Sequence, residues 1–114
     1  MLSKKYRFHS RGGVRFTYKH GKTIRGALIS LVYNDNSKGF TRFAVVVSKK
    51  VEKTAVGRNR IRRRMYEAVR LVMKDNNKYA KHDYIFVVYK KDILTMDFEE
   101  LKNTVISLLE QSMI

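Results

Sequence analysis

The chain has 114 residues, 44% of them apolar, and carries a formal net charge of +15 with a pI near 10.3. That length suits one hydrophobic core, so a single domain over residues 1–114 is expected, and the charge points to a polyanionic partner, nucleic acid ahead of an acidic membrane surface. The absence of cysteine excludes disulfides, thiolate metal sites and thiol nucleophiles, and with no apolar stretch long enough for a signal peptide or a span, a soluble cytoplasmic protein without membrane attachment is expected.

In chain order, the first predicted element is a helix from Phe8 to His20, on which Val14, Thr17 and Tyr18 fall close together, with Gly21 as a left-handed stop. Gly12 and Gly13 weaken that helix, since each costs about 1 kcal/mol against alanine in a helix interior. The apolar run inside Arg25 to Tyr33 predicts a buried strand, ended by the turn-rich stretch from Asn34 to Gly39. Arg42 to Ser48 is a β-branched strand expected to pair with its predecessor as a hairpin.

Thr54 is placed to cap a helix running to about Asp75, because Ile61, Met65, Ala68, Val69, Val72 and Met73 recur at helical spacing. Arg58 and Arg62 fall at the edge of that stripe, and Tyr66, Asn59, Arg70 and Arg63 continue round the same flank. Asp83 to Tyr89 is a further strand. Asp97 with Glu100 predicts a capping box for a last helix that turns Phe98, Leu101, Val105, Leu108 and Leu109 inward. A long helix between two strands invites a crossover connection within one sheet, whose strand order the pattern leaves open.

Charge is concentrated where that long helix begins. Five arginines and one asparagine occupy the seven positions from Arg58 to Arg64, and Lys49 to Arg70 holds nine basic and two acidic residues. Arginine offers a planar fork of donors that matches phosphate oxygens and stacks on bases, whereas lysine supplies a mobile point charge. So many like charges repel one another unless an anion screens them, which favours RNA or DNA binding over a merely solvated face. Phe16, Tyr18, Tyr33 and Phe43 interleave with basic residues as a stacking platform requires, although each also suits a core.

Catalytic groups are scarce. There is no Gly-rich phosphate loop, no zinc-binding helix motif and no nucleophile elbow, and His9, His20 and His82 are scattered among lysines and arginines. Glu52, Asp92 and Asp97 are the nearest candidates for general acids, and each has a simpler role as a loop residue or cap. No protein-borne catalytic residue and no metal ligand is expected.

Ser48, Lys49 and Lys50, followed by Ala55 and then Arg58, Asn59, Arg60, Ile61, Arg62 and Arg63, resemble the signature of the bacterial ribonuclease P protein family: a strand ending in Ser/Ala-Lys-Lys, then a basic helix carrying Arg-Asn-Arg. The likeness extends through Tyr18 to Gly21, through Asp83 to Val88 before Lys90 and Lys91, and into the last helix. It departs at Val14, often aromatic in the family, and at Tyr66, where a basic residue is common.

This resemblance implies an α+β two-layer sandwich of order α-β-β-β-α-β-α, with a central sheet and a left-handed βαβ crossover against the usual rule. It implies the protein subunit of an endoribonuclease in which a catalytic RNA, holding the magnesium ions, removes the 5′ leader of precursor tRNA, with one protein per RNA. Lys49, Lys50, Arg58, Asn59, Arg60, Arg62 and Arg63 then contact the catalytic RNA, and Tyr18, Phe16 and Lys90 the leader. The alternative is a different basic RNA-binding protein, such as a ribosome-associated factor.

Overall fold

The computed structural model of the chain describes residues 17–35, 41–75 and 82–113. Strands β1 (Lys22–Ile24), β2 (Ile29–Asp35), β3 (Arg42–Val47) and β4 (His82–Val88) form one sheet in the order β1-β2-β4-β3, and helices α1 (Ala55–Asp75) and α2 (Phe98–Gln111) pack on it. The architecture is α+β with a mixed sheet. Residues 17–20 are helical and precede β1, while Phe16, Val14 and the Gly12 and Gly13 pair lie outside the described residues, as does most of the first predicted helix.

Burial marks the internal strands. In β4 the four consecutive residues Asp83, Tyr84, Ile85 and Phe86 are all buried, the signature of a strand covered on both faces and flanked on both edges. The same run occurs in β2, and these are the two internal strands: β4 lies between β2 and β3, antiparallel to β2 from Ile29↔Val88 to Asp35↔His82 and parallel to β3 from Arg42↔Asp83 to Val47↔Val88. This corrects the expected hairpin: β2 and β3 are neighbours in sequence but not in the sheet. A bidentate ion pair from Arg42 to Asp83, at 2.8 and 2.7 Å, fixes the parallel register at its first rung.

Alternation along the strands separates two apolar layers. Ile29 and Leu31 of β2, Phe43, Val45 and Val47 of β3, and Tyr84, Phe86 and Val88 of β4 share the main core with Ile61, Met65, Ala68, Val69 and Val72 of α1 and Leu101, Val105, Leu108 and Leu109 of α2. Val32, Ala44 and Ile85 form a smaller cluster on the opposite face, with Val46 and Val87 half-buried against it. Phe43, named above as a possible stacking residue, is core, its ring 5.5 Å from that of Tyr84. Tyr66 is also core, at 6% exposure, and not part of a basic flank, because the sheet and neighbouring helix reach further round α1 than the aliphatic stripe alone indicates.

Local signals behave largely as their chemistry requires. The Thr54 hydroxyl accepts from the Gly57 N–H at 3.0 Å and caps α1, and Asp97 caps α2 by accepting from Glu99 N–H at 3.1 Å. Gly21 does not adopt the left-handed conformation; it is required because a Cβ there would sit 2.5 Å from the Thr17 carbonyl oxygen and 2.6 Å from that of Tyr33. β1, three residues with little burial, has no apolar run to announce it and pairs with β2 from Lys22↔Tyr33 to Ile24↔Leu31.

Candidate nucleic-acid interface

Two regions carry the sequence-predicted residues, and the parallel pairing of β3 with β4 brings them together. Because Val47 lies opposite Val88, the segments that leave these strands, Ser48 with Lys49 and Tyr89 with Lys90, emerge side by side at one end of the sheet. Lys49, Lys50, Tyr89 and Lys90 are all exposed there. Lys49 and Lys50 sit in a turn closed by Val51 and Glu52 N–H groups donating to the Ser48 carbonyl, at 3.1 and 3.3 Å.

Alternation along β4 puts Tyr89 on the face of Ile85 and Val87, and its N–H extends the pairing with β2 by donating to Leu28 O at 2.8 Å. Tyr18, 44% exposed, has its hydroxyl pKa raised, first by partial burial and then by the neighbouring Tyr89, itself 42% exposed. Two half-exposed aromatic rings thus accompany Lys90 at this end. Tyr89 is a residue that sequence reasoning missed. Its signal was present in the strand alternation, which turns position 89 away from the main core.

The turn before α1 is tightly built. Glu52 accepts from Thr54 N–H at 3.2 Å and from its hydroxyl at 3.3 Å, and pairs with Lys91 at 3.3 Å, so its carboxyl pKa lies below the usual value, chiefly through the Thr54 N–H bond. Gly57 leaves room for this side chain: a Cβ at 57 would meet Glu52 Cγ at 2.5 Å. Arg58 turns back to donate to the carbonyl oxygens of Glu52 and Lys53 at 3.0 and 2.8 Å. The Asp97 carboxylate caps α2, whereas Asp92, exposed, accepts the Thr95 and Met96 N–H groups through its backbone carbonyl and not its carboxylate.

Along α1 the basic residues occupy more than one face. Arg62 donates to the Asn59 side-chain oxygen at 2.8 Å, and Asn59, Arg60 and Arg63 are exposed. Arg70 is tied to Glu67, whose pKa is lowered to about 2, chiefly by that bond. Among the described residues neither Arg60 nor Arg63 meets a carboxylate, which leaves their charge open to an outside anion. No group of three or more His, Cys, Asp or Glu that could hold a metal ion occurs among the described residues, and none of the helices there is long and apolar enough to cross a membrane.

The family model described as Ribonuclease P matches residues 2–113. The chain belongs to the ribonuclease P protein family. It is thereby an RNA-binding protein component of a ribonucleoprotein endoribonuclease of tRNA processing. It is 35% identical over 108 residues to the ribonuclease P protein component of Thermoanaerobacter sp. (strain X514), covering 95% of this chain and 84% of that one. To the ribonuclease P protein component of Clostridium kluyveri it is 36% identical over 111 residues, covering 94% of each. The fold matches solved ribonuclease P proteins from Staphylococcus aureus, with TM-score 0.74, 20% identity and 94% of each chain covered, and from Thermotoga maritima, with TM-score 0.73, 23% identity and coverage of 92% of this chain and 96% of that one.

Proposed function

We propose that this chain binds the catalytic RNA of ribonuclease P through Lys49, Lys50, Arg58, Asn59, Arg60, Arg62 and Arg63, and the 5′ leader of precursor tRNA through Tyr18 and Lys90, joined by Tyr89. Phe16, outside the described residues, belongs to the same leader-binding set. The hydrolysis is the RNA's, and the magnesium ions it needs are held mainly by the RNA. The protein acts in the cytoplasm, one copy per RNA. The observation that carries this function is the open cationic face of α1, set beside the paired lysines and tyrosines at the end of β3 and β4.

A single binding series tests it. Affinity for the catalytic RNA falls steeply with salt, by about 0.7 to 0.9 log units per log unit of salt for each phosphate contacted, and the assembled complex binds precursor tRNA more tightly than mature tRNA. Equal affinity for ribosomal RNA, with no preference for a leader, would assign the chain to another basic RNA-binding class.

A further inference from the structure

On the flank of α1 that faces α2 lies an open groove of about 550 Å³, lined by Arg60, Arg63, Arg64, Glu67, Leu94 and Phe98. At about 100° per residue, Arg60 and Arg64 sit about 200° and 240° round the helix from Arg58, so they address a different direction from the Arg58 and Arg62 edge. Its floor is apolar, from the half-buried Leu94 and Phe98, and its wall is arginine.

Arg64 organises the groove. Its Nη2 donates to the Met96 carbonyl, and its guanidinium lies 5.4 Å from the centre of the Phe98 ring. Its Nε is buried without a hydrogen-bond partner. A guanidinium placed over an aromatic ring can present its other side to a further planar group. The one acid in the lining, Glu67, is bound by Arg70 through two bonds at 3.2 and 2.5 Å, which draws its charge towards Arg70. Arg60 and Arg63 stand exposed at the rim.

We infer that this groove receives one unpaired nucleotide of the RNA partner, its base on the Arg64 and Phe98 stack and over Leu94, its phosphates held by Arg60 and Arg63. The inference rests on the RNA-binding function proposed above and extends it: α1 grips RNA on two flanks and joins separate segments of it. An unpaired nucleotide fits because a duplex keeps its base faces stacked, whereas a splayed base offers both a π-face for arginine and adjoining phosphates.

Photocrosslinking in the assembled ribonucleoprotein tests the site, with Phe98→benzoylphenylalanine in the groove and Val56→benzoylphenylalanine on the first turn of α1, where Val56 is 71% exposed. Both positions are expected to crosslink to the catalytic RNA, and the adduct from position 98 to map to an unpaired nucleotide. Crosslinking from 56 but not from 98, or an adduct from 98 within a base-paired helix, overturns the groove and leaves the proposed function standing. Failure at both positions overturns the two together. As a second arm, Leu94→Glu sets a carboxylate in the groove and is expected to weaken RNA affinity by about tenfold, while Met113→Glu at the end of α2 leaves it unchanged. Undiminished affinity in a Leu94→Glu protein with parental circular dichroism also overturns the site.

Discussion

The Arg58 guanidinium holds the Glu52 carbonyl oxygen at 3.0 Å, and the same nitrogen reaches Lys53 O at 2.8 Å. The first arginine of the basic motif is therefore also a brace for the turn that carries Lys49 and Lys50. Arg58→Ala is expected to lower stability by about 1 to 3 kcal/mol, since charge-assisted bonds to backbone carbonyls are lost, as well as weakening RNA binding. Arg62→Ala, which loses only the bond to the Asn59 side chain, should weaken RNA binding with a nearly parental melting temperature. Thermal melts of the two variants beside their RNA affinities check the difference; equal stability would mean the brace contributes nothing.

Arg42 and Asp83 form the ion pair at the first rung of the parallel β3 and β4 pairing, with side-chain exposures of 21% and 9%. Asp83→Ala leaves the guanidinium without its two-bond acceptor and is expected to cost about 1 to 3 kcal/mol in denaturant unfolding. The Asp83→Ala, Arg42→Ala double variant should recover part of that loss, because neither charge then remains without its partner across the strands.

Much of this architecture was legible from local chemistry. The α1 stripe, the Thr54 cap, the buried β4 and the inward residues of α2 all stand where periodicity and capping place them. The β2 and β3 hairpin failed because β4, though distant in sequence, inserts between them, antiparallel to β2 and parallel to β3, and the apolar pattern of the single strands does not fix which pairs are neighbours. Tyr66 was misplaced because helical spacing shows where the aliphatic side chains lie but not how far the packing partners wrap. Arg64 carried no sequence mark separating it from its four neighbouring arginines; only the approach of Met96 and Phe98 makes it an internal strut. Tyr89 reads as the end of a strand until the parallel pairing sets Lys49 beside it.

Glu67 and Arg70 give a pH signature. The Glu67 carboxyl is lowered to about 2, chiefly by its bond to Arg70, against an ordinary value of about 4.3. A carboxylate depressed in the folded state contributes stability that is fully present above its unfolded pKa and is lost as pH falls through its folded one, so the loss runs from about pH 4 to about pH 2. Side-chain NMR titration should find Glu67 near 2, and moved upward in Arg70→Gln. A Glu67 that titrates normally in the parent protein would contradict the pairing.

Tyr18 and Tyr89 separate grip on substrate from grip on the catalytic RNA. Stacking of a leader base on either ring is worth about 1 to 3 kcal/mol by alanine substitution. Tyr18→Ala and Tyr89→Ala should each weaken binding of precursor tRNA to the assembled complex by that amount, leaving mature tRNA and catalytic-RNA affinity nearly unchanged. Equal losses for precursor and mature tRNA, or a large fall in melting temperature, would show that these tyrosines serve packing instead.

The division of labour between a cationic protein and a catalytic RNA is tested most directly by precursor tRNA cleavage as a function of magnesium, with protein alone, catalytic RNA alone and the two together. The expected result is no cleavage by the protein, cleavage by the RNA at high magnesium, and a shift of the requirement to lower magnesium when the protein is added, because its cations replace part of the counterion atmosphere on RNA phosphates. Magnesium-dependent cleavage by the RNA-free protein, or an unshifted magnesium requirement in the assembled complex, would contradict it.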